Sequence, residues 1–265
     1  MTIGSNDSGV GQYYLRQEDG SMCQLDKTEK EKDIGVIFDS KFTFENHISE
    51  KVKKANSMAG VIRRAYKYLT PKTFVPLYKA LVRCHLEYAA SVWSPYRAKY
   101  VDMIESVQRR ATKYLPGFKD LTYDERLKKL NLPTLAYRRL RGDMIETYKI
   151  IKEIYDKGVA PTLILSKDVA VRSTRGHQFR LYKVRANKQI RANSFSYRIV
   201  NPWNSLPENV VNAPSLNAFK NRLDKYWKNQ DILYDYKATL NLMGNTTPTT
   251  REQDVDIEDQ EDLRH

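Results

Sequence analysis

Residues 77–115, LYKALVRCHLEYAASVWSPYRAKYVDMIESVQRRATKYL, constrain the fold most. Leu77, Leu81, Cys84, Leu86 and Tyr88 recur at helical spacing until Trp93-Ser94-Pro95 breaks the run. Val101, Ile104, Ala111 and Leu115 make a second stripe, and Arg109, Arg110 and Lys113 stand well away from it. A helix with an apolar seam and a cationic back packs on a core and still faces a polyanion. Two such helices joined by a short aromatic turn point to a helical bundle, so the chain reads as mainly α with a small β portion.

The apolar content of 41% is enough for a real core, in one large domain or two small ones. The net charge of +13 points to a polyanionic partner, nucleic acid first and an anionic membrane second. That charge is unevenly placed: Arg251 to His265 holds seven acidic and two basic residues, so this tail carries −5 and the rest +18. Such a tail is read as solvated, with competition against nucleic acid as the alternative. Cys23 and Cys84 lie far apart and suggest neither a disulfide framework nor a metal set, and Cys84 reads as packed in a helix. Met1 to Gly11 lacks the apolar core of a signal peptide, and no window of about 18 apolar residues exists to span a membrane. The expectation is an intracellular protein of the cytoplasm or nucleus.

Taken in order, residues 1–12 read as disordered and residues 13–44 as short strands. Gln12–Leu15 and Ser21–Leu25 flank Glu18-Asp19-Gly20, a hairpin signal. Asp33 to Asp39 reads as a single buried strand ending in a turn. The pattern is helical from Ile48 to Leu69, with Ile48, Val52, Ala55, Ala59, Ile62 and Tyr66 on one face. Lys53, Arg64 and Lys67 gather opposite, within a sector of roughly 60°; they are a phosphate-contacting ridge or simply a solvated face. Thr70 and Pro71 open the next helix, which is expected to run to about Ala90. Thr122-Tyr123-Asp124-Glu125 is a capping box.

Residues 136–155 form another amphipathic helix, with Arg138, Arg139 and Arg141 in its N-terminal half. Positive charge there opposes the helix dipole, which suggests an acidic contact, protein or phosphate, with nucleic acid slightly favoured. Residues 45–157 are therefore read as one helical region. From 158 to 240 the character changes. Arg172, Arg175, Arg180, Lys183, Arg185, Lys188, Arg191 and Arg198 interleave with Phe179, Tyr182, Phe195 and Tyr197. That mixture suits irregular nucleic acid, and Gln178 to Val184 also alternates like a half-buried strand. Leu216, Phe219, Leu223 and Trp227 mark a last helix, and residues 241–265 read as a disordered acidic tail.

Motifs for catalysis are missing from this reading. There is no GxxxxGK[ST], GxGxxG or GxSxG, and no CxxC or HxxxH. Two-metal chemistry needs paired aspartates about 4 Å apart. Asp33 and Asp39 at the ends of one strand would stand about 20 Å apart. No metal site and no catalytic residue is assigned.

LYKALVRCHLEYAASVWSPY with IESVQRRATKYLPG resembles the C-terminal region of the reverse transcriptase of non-LTR retrotransposons, the LINE-type, jockey/CR1-like group. The resemblance runs from about Lys32 to Trp227. It implies that KDIGVIFDSKFTFENHI follows the polymerase palm, with Ile34, Gly35 and Val36 as a primer-grip-like turn. VKKANSMAGVIRRAY and LYKALVRCHLEYAASVWSPY are similar to the thumb helices, and LTYDERLKKLNLPTLAYRRLRGDMIETYKI with SFSYRIVNPWNSLPENVVNAPSLNAFKNRLDKYW to the C-terminal extension. The intact enzymes are RNA-directed DNA polymerases that use Mg2+. The fingers, the palm with its catalytic aspartates and the endonuclease have no counterpart here. The resemblance thus implies a truncated transposable-element product that binds RNA, DNA or an RNA–DNA hybrid without extending a primer and with no cofactor of its own. The contacts would come from Lys53, Arg64, Lys67, Arg109, Arg110, Lys113, Arg138, Arg139, Arg141, Arg180 and Arg185. The alternatives are a non-enzymatic protein-interaction module and a decayed product without activity.

Overall fold

The computed structural model describes residues 12–156, 158–169 and 176–242. The expectations for residues 1–11 and 243–265, and for Arg172 and Arg175, lie outside the described residues.

The fold is mainly α, with two small antiparallel two-stranded sheets at its start. Tyr14–Arg16 (β1) pairs with Met22–Gln24 (β2) around the expected turn, where Gly20 takes a positive φ of 84°. Lys30–Asp33 (β3) pairs with Val36–Asp39 (β4). The single strand expected from Asp33 to Asp39 is therefore a hairpin, turning at Ile34 (φ 41°) and Gly35 (φ 78°). Two successive positive φ angles make the tight loop whose twist matches paired strands. Glycine adopts that conformation freely, whereas a β-branched residue there is strained. The Tyr88 hydroxyl donates to the Ile34 carbonyl at 2.9 Å and holds the turn in place.

Asp39 organises the exit from the hairpin. Its carboxylate accepts from Thr43 N (3.0 Å) and Phe44 N (2.6 Å), and the chain then enters Glu45–Ala65 (α1). Ile48, Val52, Ala55, Ala59 and Ile62 are buried as expected; Tyr66 is past the helix end and exposed. His47 is also buried. Its Nδ1 accepts the Ile37 N–H at 3.2 Å and its ring lies 5.1 Å from that of Trp93.

Pro71–Leu77 (α2) is capped by the Thr70 side chain, which accepts from Thr73 N. It continues through a π-helical segment, Tyr78–Arg83, into Cys84–Glu87 (α3). The buried side chains are Phe74, Tyr78, Val82 and Leu86, four residues apart. That spacing drifts by about 40° per step on a 3.6-residue turn, and the wider π turn takes the drift back. Leu81 and Tyr88 are consequently exposed, and Cys84 is exposed rather than packed. The helix stops at Tyr88, short of the expected Ala90, because Ala89 adopts φ 51° before Ala90–Trp93 (α4).

Ala98–Ala111 (α5) buries Tyr100, Ile104, Val107 and Ala111. Tyr123–Leu130 (α6) carries the expected Thr122/Glu125 capping box, with Thr122 N donating to Glu125 Oε2 at 2.8 Å. Leu135–Ile151 (α7) is capped by Thr134. Side-chain packing divides the molecule near its start. Leu135 and the residues before it form one core with β4 and α1 to α6. Tyr137, Met144 and Tyr148 belong to a second core with Trp203, Phe219, Leu223 and Trp227. Thus α7 joins the two cores, packing against α4 and α5 before it and α13 after it.

The remaining elements are short: Ser166–Val169 (α8), Gln189–Ala192 (α9), Phe195–Arg198 (α10), Val200–Asn204 (α11) and Glu208–Val211 (α12), then Leu216–Tyr226 (α13) with Ser215 as its cap. Trp203 is a buried helical residue. Gln178 to Val184 is no strand. Only Leu181 bridges Leu165, and the Asn204 amide accepts from Leu181 N (2.8 Å) and donates to Leu181 O (2.9 Å). One side chain thereby supplies both bonds that a partner strand would give.

His47 gives the fold a pH dependence. Burial, then the nearby Lys51 charge, holds its imidazole down to about 4, below the usual 6.5. Unfolded chain therefore takes up this proton before folded chain does. The stability associated with a neutral His47 is complete above about pH 6.5 and is lost as pH falls toward about 4, by roughly 2–3 kcal/mol. Urea unfolding at pH 7.5 and 4.5 is expected to show that loss in the wild type, in excess of the change seen in His47→Gln.

Candidate nucleic-acid interface

The outward face of α1 carries Lys53 and Arg64, eleven residues and about 16 Å apart along the axis, with Lys67 just beyond the helix end. All three are exposed. The neighbouring helix adds to this face. Arg110 Nη1 donates to Asn56 Oδ1 at 3.3 Å, which lays the basic end of α5 against α1. Arg63 stands over the Tyr114 ring at 5.3 Å on the same side. Lys113 follows in the short 3-10 turn Thr112–Tyr114 and is exposed. Among the described residues, none of Lys53, Arg64, Lys67, Arg110 and Lys113 is paired with a carboxylate. These cations form a strip along the outer side of α1 and the end of α5, and among the described residues no carboxylate pairs with them.

The other expected contacts are placed differently. Arg109 faces away from α1, toward Asp102 (3.4 Å) and the Tyr236 hydroxyl (3.0 Å), at one wall of an open cleft of about 770 Å³ that Tyr123, Lys128 and Tyr234 also line. Arg138 makes a two-pronged pair with Glu87 (2.7 and 2.9 Å) and Arg141 one with Asp224 (2.5 and 2.7 Å). Arg139 is buried between Glu105 and Asp143, and burial pulls its pKa down against their attraction. The acidic contact that this arginine cluster called for is thus protein carboxylate, and Arg139 is out of reach of a phosphate. Charge at the start of α7 is further offset by Glu105, whose carboxylate accepts the Leu135 N–H at 3.0 Å. Arg180 packs against the backbone of Gly176, and Arg185 is exposed in a loop of the second core.

Arg63 and Asn56 had not been singled out. They lie seven residues apart, on the side of α1 that meets α5, and that spacing was the available signal.

The hairpin tip sits apart from the strip. Ile34 is 82% exposed, and the Gly35 backbone is close enough to Tyr88 that an added Cβ would touch the ring at 3.4 Å. The Ile34-Gly35 turn and the HLEYAASVW segment are therefore in contact. Arg198 ties that segment to the second core, donating to Ser91 O (2.6 Å) and to buried Asp143 (2.8 and 2.9 Å). Among the described residues no group of three or more His, Cys, Asp and Glu could hold a metal ion, and no helix is long and apolar enough to cross a membrane.

Comparison with protein-family models, curated proteins and solved structures returns no match.

The pairs at Arg138 and Arg141 lead to a direct expectation. Arg138→Ala with Arg141→Ala removes two half-buried bidentate pairs, worth about 1–3 kcal/mol together. The denaturant midpoint should fall accordingly, while the affinity of the folded protein for nucleic acid stays within twofold.

Proposed function

We propose that this chain binds nucleic acid as the C-terminal region of a non-LTR reverse transcriptase does, gripping template–primer duplex with a thumb-like helical face and not extending a primer by itself. The observation that supports it is the α1–α5 strip of Lys53, Arg64, Arg110 and Lys113, exposed and without acidic partners among the described residues. A structural surface tends to intersperse charges of both signs; a one-signed strip on two packed helices suits a phosphate backbone, where each cation releases a counterion. The resemblance of the same two segments to thumb helices agrees with this use. Nucleotide would be sensed as shape and charge rather than sequence.

The test is binding of a labelled RNA–DNA template–primer at low salt with deoxynucleotides and Mg2+ present. Binding without lengthening of the primer is expected. No binding would overturn the reading, and lengthening would overturn the lack of polymerase activity.

A second reading, a protein-interaction module, draws on the β1–β2 ribbon. Tyr13, Tyr14, Leu15, Met22 and Leu25 are each between 48% and 66% exposed there, which is unusual for so many large apolar side chains in one place.

A further inference from the structure

We propose that the acidic segment Glu252–Asp262 docks on the α1–α5 strip and competes there with nucleic acid; the competition, though not the docking, rests on the function proposed above. The strip and the segment are complementary. Five exposed cations stand on the strip without carboxylate partners among the described residues, and seven carboxylates stand in eleven residues of the segment.

The chain also leaves the fold within reach of the strip. Tyr236 donates to Asp102 (2.7 Å) and accepts from Arg109 (3.0 Å), which fixes it to α5. Asn241 is held by Gln230 through two hydrogen bonds, 2.9 and 3.2 Å. Arg109 and Tyr236 lie on the side of α5 turned away from α1, so the path to the outer face of α1 rounds α5, one helix diameter plus one interaxial spacing, roughly 20 Å. The nine residues 243–251 reach up to about 30 Å, so the segment can lie over α1. Lys53 to Arg64 spans about 16 Å along that helix, less than eleven extended residues cover. Tethering holds the segment at an effective concentration in the millimolar range, so weak contacts suffice for occupancy at low salt, and added salt releases them.

The experiment uses the full chain without nucleic acid first. A carbodiimide joins a lysine amine to a carboxylate only where they touch. Cross-links mapped by mass spectrometry are expected from the segment to Lys53, Lys67 and Lys113, and to fade in 0.5 M salt. Links spread evenly over lysines elsewhere would overturn the docking. An oligonucleotide duplex is then added: suppression of these links supports competition at one surface, and docking links that persist beside bound duplex overturn the competition alone. In parallel, the seven carboxylates are changed to their amides. Duplex affinity at low salt is expected to rise by about tenfold. An unchanged affinity in a chain that binds duplex would contradict the competition, whereas a chain that binds no duplex in either form refutes the nucleic-acid reading and leaves the cross-links to judge the docking.

Discussion

Replacing Glu105 by alanine is expected to cost about 3–5 kcal/mol of stability. The residue is fully buried where the two cores meet. Its carboxylate accepts the Leu135 N–H at 3.0 and 3.2 Å and the Tyr123 hydroxyl at 2.6 Å, and it faces buried Arg139. Burial raises its pKa, against the pull of the Tyr123 hydrogen bond and the Arg139 charge. Alanine leaves an amide and a hydroxyl buried without this acceptor, and leaves Arg139 facing Asp143 alone. Burying an uncompensated charge is among the few single changes of this size. Guanidinium unfolding gives the number. Tyr123→Phe, which removes no charge but loses the hydroxyl's bonds to Glu105 (2.6 Å) and from Gln108 Nε2 (3.1 Å), is expected to lose about 1–3 kcal/mol. A loss below 1 kcal/mol in Glu105→Ala would mean that the carboxylate does not join the cores.

Lys53→Glu with Arg64→Glu is expected to weaken duplex binding at low salt by about 30-fold or more, with the melting temperature within a few degrees of wild type. Each reversal removes one phosphate contact and adds a like charge beside the polyanion. Both residues are exposed and neither takes part in an ion pair, so surface substitution should leave stability within about 0.5 kcal/mol. The plot of log affinity against log salt should also flatten by about 2, one for each lost contact. Equal weakening by Arg138→Ala with Arg141→Ala would move the interface to α7 and contradict the assignment.

The local chemistry was legible. Thr70 and Thr122 were recognised as caps because capping depends on neighbours two or three residues away, and each is found capping its helix. The buried face of α1 followed from its apolar period. What escaped was long-range or conformational. The partners of Arg138 and Arg141 lie 51 and 83 residues away, so no local pattern could assign them. Ile34 at positive φ is a costly choice that only the Tyr88 contact rationalises. The π-helical turn at Tyr78–Arg83 shifted the buried register from Leu81 and Cys84 to Tyr78 and Val82. A side-chain amide standing in for a strand, as Asn204 does for Leu181, likewise leaves no period in the sequence.

For the basic strip the sequence was half sufficient. It placed Lys53 and Arg64 on one face, since that is helix geometry alone, whereas Lys67 falls past the end of α1. It put Arg109 and Arg110 together as neighbours, yet the fold sends them to opposite sides of α5, Arg110 to Asn56 and Arg109 to Tyr236. Adjacent residues on a helix differ by about 100°, and only the position of α1 decides which of the two joins it.

The most direct measurement is the affinity of the full chain for a short RNA–DNA duplex, followed from about 50 to 300 mM salt. Contacts by Lys53, Arg64, Arg110 and Lys113 predict that log affinity falls against log salt with a slope of about −3 to −4. A slope near zero, or no binding at the lowest salt, would contradict the account, because the strip would then be solvated surface and not a phosphate grip.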